Sequence, residues 1–358
     1  MDKTEMPRKS DVVEDSATGG HQAVISQVDV ARMAGVSQAA VSRSFTPGAS
    51  VSATTRRRVL EAAEELGYRP NVIARSLIRK STNMIGLVVM RFTNPFYARM
   101  IRDFTRALQE LGYWTLLFNI ANSEEVEATL PMALQYQVDG LIITSATLSS
   151  KMVEECARAG TPVVLFNRYT EGSNVNVVRC DGEAGARLVA DALLDGGHER
   201  IAYIAGEEGS STARERETGF VRRLEERGYH LELRERGDFS YESGYAAAQR
   251  LLSMDQPPDA IFCASDLMAM GTLDLAWHEC RFSVPEQLSV IGYDDIPPAS
   301  WPGYSLTTVR QPVDEMVRTS VEVLQSAIES GNSEVVHRVF SPVLVVRSSA
   351  RLQPAGQG

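Results

Sequence analysis

The stretch Val28-Asp-Val-Ala-Arg-Met-Ala-Gly-Val-Ser-Gln-Ala-Ala-Val-Ser-Arg43 decides how the chain is read. Val30, Ala31 and Ala34 recur on one helical face. Gly35 follows where a turn can demand positive φ. Val36 can plug the gap between two helices, and Ser37 is a good N-cap for the second. Ala31, Gly35 and Val41 stand at the spacing of a helix-turn-helix, where small residues let two helices cross closely. The second helix then turns Ala40 and Val41 inward and Ser37, Gln38, Ala39, Ser42 and Arg43 outward. Gln and Arg read base edges in the major groove, and Ser suits phosphate. An ordinary helical hairpin would show the same apolar spacing.

Working outward, Ser52 caps a third helix, Ala53 to Leu66, stopped by Gly67. Val59, Ala62, Ala63 and Leu66 form its buried stripe. Arg56, Arg57 and Arg58 at its start can reach phosphate or stay solvated. Pro70 then breaks the chain, and Asn71 can cap a short helix carrying Ala74 and Leu77. That helix is too short to be stable alone. It could fold on DNA with Leu77 as a minor-groove wedge, or it could be a linker helix with Leu77 packed on the body. Residues 22–80 hold nine Lys/Arg and four Asp/Glu in a chain of net charge −10, which leaves a strongly acidic remainder. A small basic module joined to a large acidic body suits a polyanion such as DNA. Residues 1–22 are polar and rich in Asp, Glu and Ser, the composition of a disordered tail.

These residues resemble the DNA-binding headpiece of the LacI/GalR family of repressors. The strings that carry the resemblance are Asp29-Val-Ala, Ala34-Gly-Val-Ser, Val41-Ser-Arg, Val51-Ser, Leu66-Gly-Tyr, Pro70-Asn and Ala74-Arg-Ser-Leu77. It implies that Gln38, Ala39 and Arg43 hold the base-reading positions. It also implies that Leu77 opens the central base step and that Ala74 packs against its mate in a paired hinge. One departure is Val28, which follows Ser26-Gln27 where a Thr often caps the first helix; Ser26 can do that job.

From Met84 onward short apolar strands alternate with amphipathic helices, and the cycle restarts after Asp181. This rhythm implies parallel sheets covered on both faces. The expected fold is therefore an all-α helix-turn-helix headpiece plus an α/β two-lobed, Rossmann-like body. The resemblance implies the same: a periplasmic-binding-protein-like body with three crossovers. The boundaries expected are a headpiece at 23–69, a hinge at 70–81, a body at 82–347 and a tail at 348–358. By the same analogy the first lobe spans about 82–181 and 299–331, and the second about 182–298 and 332–347. Ligands of open α/β sheets sit at strand C-terminal ends, so a site between the lobes is expected.

The candidates there each follow a strand. Phe96 and Tyr97 can stack on a flat or sugar-like ligand or belong to the core. Asn167, in Asn167-Arg168, stands where the family often has Asp. Arg216, read as a helix start, matches the family's effector-contacting arginine, though an ion pair with Glu215 or Glu217 is a plain alternative. Phe239 matches its stacking aromatic. Ser265 precedes Asp266 where Asn-Asp is common. Asp294 matches the acid that accepts ligand hydroxyls or amines, or else caps a turn. Trp301 borders the cleft or a crossover.

The same residues exclude other classes. There is no GxxxxGK[ST], HExxH or GxSxG, and no GxGxxG after a strand. The four cysteines lie far apart with no CxxC pair, which points to no metal cluster, no disulfide framework and a reducing compartment. The expectation is a cytoplasmic bacterial regulator, associated with the nucleoid when bound, that is no enzyme and needs no cofactor. Its partners would be a near-palindromic operator, a small effector (a sugar or sugar acid) and a second copy of the chain, with no membrane. The C-terminus has no leucine heptads, which favours a homodimer. The rival readings are a solute-binding protein and a Rossmann-type sugar or metabolite enzyme with an N-terminal helical arm.

Overall fold

The computed structural model describes residues 25–46, 48–69, 81–90, 92–120, 124–144, 150–169, 174–331 and 334–352. The expected tail at 1–22 and the hinge residues Asn71, Ala74 and Leu77 lie outside the described residues. The chain divides into two units, Met1–Arg75 and Ser76–Gly358.

The headpiece is three helices: α1 (Gln27–Ala34), α2 (Gln38–Ser44) and α3 (Ala53–Leu66). Each begins at a serine. Ser26 donates its N–H and hydroxyl to the Asp29 carboxylate at 3.0 and 2.6 Å. Ser37 and Ser52 accept from the amides of Ala40 and Thr55. These contacts satisfy groups that a helix start leaves open. Beneath them Val30, Ala31, Ala34, Val41, Val59, Ala62 and Ala63 make one buried cluster.

The body holds two six-stranded sheets. The first lobe contains β1 (Met84–Met90), α4 (Pro95–Glu110), β2 (Trp114–Ile120), α5 (Glu124–Gln135), β3 (Gly140–Ile143), α6 (Ser150–Ala159), β4 (Val163–Phe166) and β5 (Asn176–Cys180). The second contains α7 (Gly182–Asp195), β6 (Ile201–Ile204), α8 (Ser211–Glu226), β7 (Leu233–Glu235), α9 (Tyr241–Leu252), β8 (Ala260–Cys263), α10 (Asp266–His278), β9 (Ser289–Asp294), a 3-10 turn (Pro297–Ser300) and β10 (Thr307–Arg310). The chain then returns to the first lobe as α11 (Val313–Ser330) and β11 (His337–Phe340), and ends in the second as β12 (Val343–Val345). The sheet orders are β11-β5-β4-β3-β1-β2 and β12-β10-β9-β8-β6-β7. Among the described residues all strand pairings are parallel except β10 with β12. The buried strands read as continuous Val/Ile/Leu runs because helices cover both faces.

Three expectations need correction. The lobe boundaries at 299 and 331 fall elsewhere: β10 pairs with β9 in the second sheet, and β11 pairs with β5 in the first. The second and third crossovers therefore lie between β10 and α11 and between β11 and β12. Short strands such as Thr307–Arg310, with three of its four residues threonine or arginine, carry too little apolar periodicity to be seen in sequence. Second, residues 348–352 are no tail. Ser349 is buried, and its hydroxyl donates to Val290 O and accepts from Thr307 N. Third, Arg216 does not begin a helix. Ser210 caps α8, and Arg216 lies past its first turn, where a dipole argument has little force.

Where the chain leaves the hinge, one carboxylate gathers it in. Asp139 accepts from the Ser81 hydroxyl, the Thr82 amide and hydroxyl, and the Asn83 amide at 2.6–3.1 Å.

Candidate DNA-reading face and ligand cleft

The turn between α1 and α2 explains the outer face of the headpiece. Gly35 holds φ +62°, and a Cβ there would lie 2.9 Å from an Arg58 nitrogen. That room lets the Arg58 guanidinium donate to Ala34 O at 2.6 Å, closing the end of α1. Gln27 ties the start of α1 to Gln38 O. With Val41 and Ser44 buried, α2 has one rotation available. Ser37, Gln38, Ala39 and Arg43 are exposed and Ser42 is half-buried. Among the described residues the Arg43 guanidinium makes no ion pair. Of the three arginines of α3, Arg56 and Arg58 donate inward to carbonyls and Arg57 faces Glu61, so two of the three act partly as loop and helix closures.

In the body the strand ends bring three of the seven sequence-named residues into direct contact. Arg216 is buried and meets the Asp294 carboxylate at 2.9 Å, and it also donates to Ala264 O. Its guanidinium lies 5.8 Å from the centre of the Phe239 ring and 3.7 Å from that of Tyr293. Both are cation–π distances. The Phe239 ring rests on the end of β6, where a Cβ on Gly206 would fall 2.1 Å from the ring. The expected alternatives for Arg216 are not used: Glu217 pairs with Arg234, and Glu215 with Arg179 and Tyr169.

The other four stand at strand ends but are held by their own elements. Phe96 and Tyr97 pack edge-on at 5.3 Å in the main core cluster. Ser265 is the N-cap of α10. Asn167 is buried and its backbone N–H donates to Val178 O. Asn167, Phe239 and Asp294 all have positive φ, at +68°, +69° and +117°. Strained backbone of this kind persists where the surroundings over-determine it and clusters at functional sites. Trp301 is exposed beyond the 3-10 turn.

Burial pushes the Asp294 carboxyl up, against the pull of Arg216. Burial, and then the charge of Asp294, push Asp266 far higher. Of these two neighbours, Asp294 is the one whose charge has a cation beside it, so it holds the negative charge.

Sequence reasoning passed over three residues here. Gln311 donates to Asp294 at 2.8 Å, and its Oε1 is buried without a hydrogen-bond partner among the described residues. Tyr293 supplies the ring under Arg216. Arg168, from the first lobe, is buried, meets Glu207 of the second at 2.9 Å, and lies 5.8 Å from the Phe239 ring. Arg168 and Tyr293 each adjoin a residue that was named, and such adjacency at a strand end is the signal that could have found them. Gln311 follows a strand that the sequence did not reveal.

Among the described residues no group of His, Cys, Asp and Glu could hold a metal, and no helix is long and apolar enough to cross a membrane. His198 is buried beside Asp259 and the Arg351 carbonyl, a structural place.

A helix-turn-helix headpiece with a polar outer face, joined to a two-lobed parallel α/β body, defines the class of ligand-responsive DNA-binding regulators. Comparison with known proteins agrees. Residues 28–71 match the family described as bacterial regulatory proteins, lacI family, and residues 190–350 match the periplasmic binding protein-like domain. The chain is 34% identical over 329 residues to the HTH-type transcriptional repressor PurR of Photobacterium profundum, covering 90% of this chain and 98% of that one. It is 33% identical over 326 residues to the ribose operon repressor of Escherichia coli, with the same coverage. A solved lac repressor dimer bound to operator and an anti-inducer superposes with a TM-score of 0.83 at 27% identity, covering 91% of this chain and 98% of that one. A complex of the regulator CelR with cellobiose superposes at 0.70 and 32% identity, covering 91% and 100%. The chain belongs to the lacI family of bacterial regulatory proteins. It is a DNA-binding transcriptional regulator and not an enzyme.

Proposed function

We propose that the chain is a cytoplasmic homodimeric repressor, found at the nucleoid when operator-bound. Its two headpieces read half-sites of a near-palindromic operator, and a small effector between the lobes sets operator affinity. Ser37, Gln38, Ala39, Ser42 and Arg43 face DNA. Asn71, Ala74 and Leu77 carry the hinge contacts. Arg216, Asp294 and Phe239 hold the effector, with Phe96, Tyr97, Asn167 and Ser265 as its walls. The observation that carries the reading is the buried Arg216–Asp294 pair, with the Arg216 guanidinium 5.8 Å from the centre of the Phe239 ring. A charge pair this deep costs desolvation, and a hydrophobic pair would serve stability as well. Two polar groups and a stacking face suit a hydroxylated ligand such as a sugar. An effector that favours one lobe arrangement by about 1–3 kcal/mol shifts operator affinity accordingly.

The test is selection of sequences from random duplex DNA by the purified full chain at near-physiological salt. Enrichment of a near-palindrome with half-sites spaced by a two-fold axis is expected. A single unsymmetrical site would rule out the dimeric reading. Loss of the effector's shift in operator affinity in Arg216→Lys and Asp294→Asn proteins, each compared with its own unliganded affinity, checks the cleft.

A further inference from the structure

We infer that the effector is a polyhydroxylated monoanion, a sugar acid, whose carboxylate displaces Glu207 from Arg168; this rests on the cleft reading above. Two guanidiniums face one ring. Arg216 approaches Phe239 from the second lobe and Arg168 from the first, each 5.8 Å from the ring centre. The two arginines differ in how they are answered. Arg216 has Asp294, an equally buried acid, and the Ala264 carbonyl. Arg168, with a side chain only 4% exposed, has Glu207, whose side chain is 29% exposed. Glu207 lies 2.9 Å from one terminal nitrogen, and the Arg168 Nε is buried with no hydrogen-bond partner among the described residues. A guanidinium presents Nε and a terminal nitrogen as a fork that matches both oxygens of a carboxylate. Glu207 occupies one prong only. A ligand carboxylate can take the fork, while Glu207, on the partly open loop after β6, turns to water.

The charges select the ligand's valence. Arg168 and Arg216 balance Glu207 and Asp294. Exchanging Glu207 for a monoanion keeps that balance in a buried site, whereas a dianion adds a charge with no counterpart. Asp294 and the unpartnered Gln311 Oε1 remain as acceptors for hydroxyls, and the face of Phe239 for the C–H side of a sugar chain. The Arg168–Glu207 pair also crosses from lobe to lobe, so the exchange alters the contact between lobes. Glu207 is thus an internal competitor of the ligand, and the two partners have opposite signs on substitution.

The experiment is calorimetric titration of the full chain with D-gluconate and D-glucuronate, with glucose 6-phosphate as the phosphate arm and D-ribose and cellobiose as neutral arms. Thermal melting confirms that each variant is folded. At least one carboxylate is expected to bind. Arg168→Gln should weaken it by about ten-fold or more, the loss of a charged hydrogen-bond partner, and Glu207→Gln should tighten it several-fold. Tighter binding of the phosphate, binding of neither acid, or acid binding indifferent to both substitutions overturns the inference. Neutral sugars binding through Arg216 and Asp294 while the acids do not would overturn it and leave the cleft reading standing. Acid binding unchanged by Arg216→Lys and Asp294→Asn would instead sink the cleft reading.

Discussion

The headpiece and the second lobe of the body frame their polar faces with different materials. Beneath α2 lie seven buried side chains, three valines and four alanines. Beneath the cleft, Tyr203, Phe220 and Phe262 meet in a trio with ring centres 4.8–5.6 Å apart. Small side chains let helices approach closely but bury little area, so the headpiece depends on its serine caps and its glycine turn. Aromatic rings bury far more and also carry the cleft on a stiff base. One region is held by local signals and the other by long-range packing.

The substitutions that break this contrast can be ranked. The largest effect belongs to Arg216→Ala. It leaves Asp294 buried with no cation and should cost the body about 3–5 kcal/mol. Calorimetric unfolding should show the body transition fall while the headpiece transition stays; a shift in both would deny that the two regions are separate units. Val59→Ala comes next. It opens a hole in a core with little to spare and should cost the headpiece about 2–3 kcal/mol, leaving the body transition where it was. Arg43→Ala should change no melting temperature. It should remove about 1–3 kcal/mol of discrimination at one base position in a competition binding assay, and equal weakening on every sequence would reassign Arg43 to phosphate. The smallest effect is at Asp259. Burial pushes its carboxyl up, but the His198 ring and the amides of Glu199 and Arg200 win and hold it down to about 2. A carboxyl depressed in the folded state adds stability above its unfolded pKa of about 3.9 and loses it as pH falls through the folded value. Asp259→Asn should therefore flatten the acid limb of a stability–pH curve between about pH 4 and pH 2.

The same contrast explains what the sequence disclosed. The three headpiece helices, their caps and the outward set on α2 follow from rules that act within a few residues, so their bounds could be read directly. The βα rhythm revealed the layered body, since continuous apolar runs mark buried parallel strands. Long-range pairing is where reading stopped. Nothing local says that Thr307–Arg310 joins β9 while His337–Phe340 joins β5, and the lobe boundaries were misplaced for that reason. The cleft divided in the same way. Arg216, Asp294 and Phe239 were legible through a family resemblance. Arg168 and Gln311 meet partners distant in sequence, Glu207 and Asp294; Arg168 was marked only by standing next to Asn167, and Gln311 had no local mark.

The return of the chain through α11 and β11 has a consequence for the order in which the protein is made. The described part of the headpiece core is complete once residue 68 has been synthesised, since Tyr68 is the last side chain to pack against it. Most of the second lobe is one unbroken segment from α7 to β10. The first lobe starts before it and finishes after it: α11 covers β3, β4 and β5, and β11 closes the edge of β5. Until residue 340 leaves the ribosome, β5 presents an open, apolar edge of the kind that pairs with other chains. The second lobe in turn waits for β12 and Ser349, which join β10 and β9 only after that, so neither lobe is whole, and a nascent chain cannot answer a ligand, before residue 349 has emerged.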